Sequence, residues 1–171
     1  MNKSLSFVIV AFFPDDNILK SLTKISSFGY RTIVVINGVD SQYLAAIKKI
    51  SQVQVIKNSC NLGVAEAFNK GLSYAFNKFK CDFAIILDQD SLVDKDLALM
   101  LMTEAIDYGV DSLGCIGPTL IDVKVKGTYY SKLSNNRFVQ ELTIPSSGSL
   151  ISKKAFEVIG PMNKKLFIDG V

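Results

Sequence analysis

With 171 residues, the chain is long enough for one domain with a substantial core and short for two. A hydrophobic fraction of 49 % against 20 % charged excludes a disordered chain, and no apolar run approaches the ~18 residues that span a bilayer. The net charge of +3 is mild and spread along the sequence, which argues against a nucleic-acid partner and leaves room for a basic face toward anionic lipid.

Leu5 to Phe12 is almost continuously apolar rather than alternating, which predicts a strand buried on both faces. No small-residue cleavage site follows it, so a signal peptide is not expected. Pro14, Asp15 and Asp16 suit a helix start, and Ile18, Leu22 and Ile25 give that helix one apolar face before Gly29 ends it. A second buried strand, Thr32 to Ile36, closes on Asn37-Gly38. A helix over 43–50, a strand over 53–56 and a longer helix over 64–79 follow, with Phe76 and Phe79 expected in the core beside Phe83.

Phe83 to Leu87 is a fourth strand with Asp88 at its carboxyl end. A helix over 94–108 and a strand over 115–117 come next. Between 119 and 152 the pattern shortens into Thr128-Tyr129-Tyr130 and Phe138 to Ile144, which predicts a hairpin insertion in which the tyrosines pack. Gly148 to Ile151 reads as a returning strand. Strands alternating with helices imply βαβ crossovers and a mainly parallel sheet, in one domain over 1–171. Cys60, Cys81 and Cys115 are neither paired nor clustered and there is no histidine, which excludes a disulfide framework, a zinc site and a Ser-His-Asp triad. Buried free thiols in a reducing compartment are expected.

In open parallel sheets, ligands sit at the carboxyl ends of the strands. Residues 11–16, 36–40, 58–63 and 88–91 all fall at such ends. Asp88-Gln89-Asp90 carries the sharpest chemistry: two carboxylates two residues apart leaving a strand can converge on one Mg²⁺ or Mn²⁺ shared with substrate phosphates. Such an ion neutralises charge on a departing diphosphate. An acidic turn that only caps the next helix is the plain alternative. Gly63, Ala67 and Gly71 recur every four residues, a small-residue stripe that lets a helix approach the sheet or a ligand. The start of that helix is a suitable setting for phosphate.

The chain resembles the family 2 glycosyltransferases of GT-A fold, and most their bacterial rhamnosyltransferase branch. The matching stretches, in the family's order, begin with Val8 to Pro14, Ile33 to Gly38, and Asn61-Leu62-Gly63-x-Ala65-x-Ala67-x-Asn69-x-Gly71. Leu87 to Ser91, Ser147 to Ile151 and Leu166 to Val171 complete the set.

The resemblance implies a Rossmann-like, mixed but mainly parallel sheet flanked by helices, and a nucleotide-diphosphate sugar, dTDP- or UDP-linked, as donor. It implies that Asp88 contacts the ribose or diphosphate and Asp90 coordinates the metal. Ala11 and Phe12 would wall the nucleotide pocket, and Asn61 and Gly63 would shape its side. Gly148, Ser149 and Asp169 would lie toward the donor sugar or acceptor, a glycan or lipid-linked precursor of a bacterial surface polysaccharide. The family places an acid before Asn-Gly to read the base; Ile36 stands there, leaving Asn37 or Asp40 to substitute. Its general base follows the position of Val171, so a chain cut inside a larger catalytic region, binding nucleotide but transferring little sugar, is expected, at the inner face of the membrane or in the cytoplasm. A non-catalytic nucleotide-sugar-binding module is the rival reading. An aspartate-nucleophile phosphatase would need Asp-x-Asp after the first strand.

Overall fold

The computed structural model describes residues 3–38, 42–109, 114–119, 121, 122, 127, 128, 140 and 143–165. The elements in chain order are β1 (Leu5–Ala11), α1 (Asp16–Ser27), β2 (Arg31–Asn37), α2 (Leu44–Ile47), β3 (Val53–Asn58), α3 (Val64–Asn77), β4 (Phe83–Asp88), α4 (Lys95–Tyr108), β5 (Cys115–Ile116), β6 (Ile121–Asp122), β7 (Gly127–Thr128), β8 (Ser149–Ser152) and α5 (Lys153–Ile159).

A six-stranded sheet runs in the order β3-β2-β1-β4-β8-β5, and β6 and β7 form a separate antiparallel pair. The first four strands are parallel, whereas β8 runs antiparallel to both β4 and β5. The mixed, mainly parallel sheet with helices on both faces is the architecture expected from the alternating pattern. The continuous apolar runs are explained by burial on both sides. Phe7, Ile9, Val34, Ile36, Ile85 and Leu87 face α1 and α4, while Val8, Val10, Ile33, Val35, Ala84 and Ile86 face α3.

Local chemistry sets the helix ends. Asp15 is extended and its carboxylate accepts the Asn17 N–H at 2.9 Å, and Asp94 caps α4 the same way through Leu97 N–H at 2.8 Å. On α3, Gly71 sits directly over β1 and β2. A Cβ there would fall on Val8 Cγ1 far inside contact, with Val35 Cγ2 3.3 Å away. With Ala67 fully buried as well, the small-residue stripe serves helix-to-sheet packing at these two positions.

At the amino-terminal edge, Asp82 ties β4 to the chain ahead of β1. It accepts the Ser4 N–H at 2.9 Å, the Ser4 hydroxyl at 3.0 Å and the Lys3 ammonium at 3.3 Å. Burial pulls its carboxyl pKa up, but the Ser4 and Lys3 bonds outweigh it and hold the group below the ordinary value.

Several expectations need correction. The helix expected over 43–50 is a single turn, Leu44–Ile47, because Tyr43 gives it no side-chain cap and the chain then turns through Gln52 at φ +63°. Phe79 is only half-buried; it stands past the end of α3, edge-on to Tyr74 at 5.1 Å, with the Arg31 guanidinium 4.9 Å from its ring. Only Cys81 is a buried thiol, hydrogen-bonded to the buried Ser6 hydroxyl at 2.7 Å, while Cys60 and Cys115 reach the surface. The described hairpin is β6–β7, earlier than expected. Tyr129, Tyr130 and most of 138–142 lie outside the described residues.

Candidate functional site

Strand order reverses between β1 and β4, since β2 and β3 extend from one side of β1 and β4 from the other. That crevice, at the carboxyl ends, is where open α/β sheets bind ligands. The register brings the sequence candidates to one rim. Val10 pairs with Asp88, Ala11 with Ile36, and Asn37 with Asn58.

Asp88 closes β4, half-buried, and Asp90 stands exposed two residues on. Between them the chain makes a tight turn in which Ser91 N–H donates to the Asp88 carbonyl at 3.1 Å. Three hydrogen bonds fix it. Asp88 N–H donates to Ser147 Oγ at 3.1 Å, Ser147 and Ser91 share a hydroxyl hydrogen bond of 2.5 Å, and the buried Ser21 of α1 donates to the Ser91 carbonyl at 2.9 Å. Gln89 reaches across the crevice, its Oε1 accepting the Phe12 N–H at 2.9 Å.

Phe12 and Phe13 follow Ala11 at the end of β1. Both rings are exposed, 42 % and 65 %, and meet edge-on at 4.4 Å. Phe13 holds φ +50°, a left-handed backbone that costs a non-glycine residue strain. Two large apolar rings kept at the surface beside two carboxylates make a shelf that is apolar on one side and anionic on the other.

Behind the shelf lies an asparagine network. The Asn37 side chain is 3 % exposed; its Oδ1 accepts from Asn58 Nδ2 and Leu62 N–H, both at 3.0 Å. Its Nδ2 donates to Asn61 Oδ1 at 2.9 Å and to the Gly63 carbonyl at 3.2 Å. These four bonds saturate the amide. Asn61 Oδ1 also takes the Gly63 N–H at 2.9 Å, and Lys70 donates to Asn58 Oδ1 at 2.7 Å. Gly38 lets the two loops meet: at φ +125°, a Cβ there would stand 2.9 Å from Asn61 N. Asn37, Asn61 and Gly63 therefore present shape at the rim, their side-chain or backbone polar groups being spent on one another.

Gly148 and Ser149 are buried. Gly148 N–H extends the β4 ladder to the Ile86 carbonyl at 2.9 Å, and the Ser149 hydroxyl donates to the Pro145 carbonyl at 2.5 Å. Ser147, immediately before them, is the member of that motif that touches the Asp88 turn. Asp40 and Asp169 lie outside the described residues. Ser21, Gln89, Asn58 and Ser147 also shape the site, though the sequence does not single them out individually. Gln89, Ser147 and Asn58 lie inside stretches that the sequence marks, while nothing in the pattern marks Ser21.

Among the described residues no group of three or more His, Cys, Asp or Glu could hold a metal alone. Asp88 and Asp90 supply two carboxylates, a donor set that suits Mg²⁺ or Mn²⁺ completed by substrate phosphate and water rather than an all-protein cage. Cavities of about 560 Å³ beside Arg31 and Phe79 and about 430 Å³ along α3 lie away from this rim. Their linings hold no carboxylate pair, and the open shelf is the better placed for chemistry.

Comparison with known proteins converges on one group. The model of the family described as glycosyl transferase family 2 matches residues 6–160. The dTDP-rhamnosyl transferase RfbF of Shigella flexneri is 28 % identical over 187 aligned positions, which take in all of this chain and 61 % of that relative. The chain thus spans under two thirds of that relative's length.

Among solved structures, S. aureus TarS 1-349 in complex with UDP superposes with a TM-score of 0.65 at 16 % identity, over 96 % of this chain and 51 % of that one. 4-Diphosphocytidyl-2C-methyl-D-erythritol synthase gives 0.56 at 14 %, over 96 % and 83 %. At these identities the structures speak for the fold, which is GT-A. On the match over residues 6–160, the chain belongs to glycosyl transferase family 2.

Proposed function

We propose that the carboxyl rim binds a nucleotide-diphosphate sugar, and that the chain is the donor-binding part of an inverting glycosyltransferase. The carrier is dTDP or UDP and the sugar rhamnose or a related one. The acceptor is a glycan or lipid-linked precursor in bacterial surface polysaccharide synthesis. One observation carries the reading: the Asp88-Gln89-Asp90 turn leaves β4 opposite the end of β1, at the point where strand order reverses.

The roles follow from the chemistry of each group. Ala11 and Phe12 form the apolar wall for the base, and Gln89 holds that wall to the acidic turn through Phe12 N–H. Asp88 and Asp90 would hold a divalent ion with the diphosphate, which offsets the negative charge that builds on the leaving group. Ser147 and Ser91 keep the turn in place, so that little reorganisation is needed when the donor arrives. Asn37, Asn61 and Gly63 set the form of the base pocket, and Gly148, Ser149 and Asp169 belong to the donor-sugar or acceptor side. The names of the Shigella relative and of the UDP complex support a nucleotide donor without choosing between carriers.

Isothermal calorimetry with dTDP, UDP and GDP, each with and without Mn²⁺, tests this. Metal-dependent binding of dTDP or UDP is expected. Indifference to all three nucleotides with metal present would overturn it.

A further inference from the structure

We infer that residues 152–165 form a peripheral docking patch for an anionic lipid surface. Within that stretch α5 leaves two large aliphatic side chains in water, Val158 at 70 % and Ile159 at 75 % exposure, followed by exposed Pro161. Four lysines flank them: Lys153, Lys154, Lys164 and Lys165. Lys154 and Val158 are four residues apart on the helix and share a face. The acid of the segment, Glu157, lies 3.6 Å from Lys153. Lys154, Lys164 and Lys165 have no ion-pair partner among the described residues.

The patch is held rather than loose. Phe156 anchors α5 against Phe76 at 5.4 Å. Beyond the helix, Asn69 of α3 clasps the backbone of Met162 on both sides: Nδ2 donates to the Met162 carbonyl and Oδ1 accepts its N–H, each at 2.8 Å. The backbone two residues before Lys164 is thereby tied to α3.

Aliphatic side chains in water flanked by cations match a surface with an apolar interior and anionic headgroups. A second copy of the chain fits poorly. A two-fold contact would set lysine against lysine, and two aliphatic residues and a proline fall well short of the roughly 800 Å² per partner of a stable interface.

Co-sedimentation of the 171-residue chain with phosphatidylcholine vesicles, with and without phosphatidylglycerol, tests the inference. Binding is expected only with phosphatidylglycerol and should weaken as salt is added. The triple change Lys154→Gln, Lys164→Gln, Lys165→Gln should lower the partition constant about fivefold per lysine, about a hundredfold in all. Val158→Ser with Ile159→Ser should weaken binding and leave a salt-sensitive remainder. All five side chains are exposed, so unchanged thermal melting confirms that the variants fold. No binding to the anionic vesicles, equal binding to both kinds, or undiminished binding by the lysine variant would overturn the proposal. So would a concentration-dependent dimer abolished by the Val158/Ile159 change in a chain that ignores lipid.

Discussion

Replacing Asn37 removes the one side chain that joins the β2, β3 and α3 ends of the rim. In Asn37→Ala, four hydrogen bonds are lost: Asn58 Nδ2 and Leu62 N–H lose the acceptor they share, while Asn61 Oδ1 and the Gly63 carbonyl keep only their bonds to Gly63 N–H and Ala67 N–H. At about 1 kcal/mol net per bond the loss is about 3–4 kcal/mol. For a chain of this size that is a fall in Tm of roughly 6–15 °C. The amide's orientation is fixed by its backbone partners, because Leu62 N–H can only donate and the Gly63 carbonyl can only accept.

Asn37→Asp is therefore not conservative. It keeps both accepted bonds but points a carboxylate oxygen at two other oxygens. Its deficit should match or exceed that of alanine at neutral pH and shrink on acidification, when the protonated acid can donate again. Chemical and thermal unfolding across pH measure this. An Asn37→Asp chain as stable as the parent at neutral pH would refute the reasoning.

Gly71→Ala drives a methyl into Val8 on the buried face of β1 and should cost about 1–3 kcal/mol, read as a lower urea midpoint with an unchanged slope. Asp82→Asn probes the opposite edge of the sheet. The folded carboxyl pKa is depressed, so its stabilisation is present above the unfolded value near pH 4 and is lost as pH falls through the folded one. The group is partly exposed and screened, so the variant should lose under about 1 kcal/mol at neutral pH and match the parent in strong acid. Cys60 should react with a thiol reagent in the folded chain, whereas Cys81 should react only on unfolding, since burial encloses it and pushes its thiol pKa up. Mass spectrometry of the labelled peptides reads this directly.

The elements visible in the sequence were those whose burial leaves an unbroken signature. β1, β2 and β4 are covered on both faces and so read as continuous apolar runs, and the aspartate caps of α1 and α4 mark their own helices. The shortest elements other than β5 leave none. β6 and β7 are two residues each, too short for alternation to register, and α2 is one turn of a longer apolar pattern cut off by its lack of a cap. The acidic turn was legible because its spacing and its place after a buried strand coincide. The asparagine network was not, since Asn37, Asn58 and Asn61 each look like ordinary turn residues until the register of β2 and β3 sets them side by side. Ser149 stands in a motif beside the site, and its hydroxyl points into the loop behind it.

The central claim, that Asp88 and Asp90 bind the diphosphate of a nucleotide sugar through a divalent ion, is tested most directly by Mn²⁺-dependent dTDP and UDP calorimetry on the parent chain, Asp88→Asn and Asp90→Asn. Asp90→Asn should melt like the parent, and both variants should lose at least about 1.4 kcal/mol of binding, a tenfold weaker Kd, as the parent does when metal is withdrawn. Nucleotide binding that survives both substitutions at parental affinity, or that ignores the metal altogether, would contradict it.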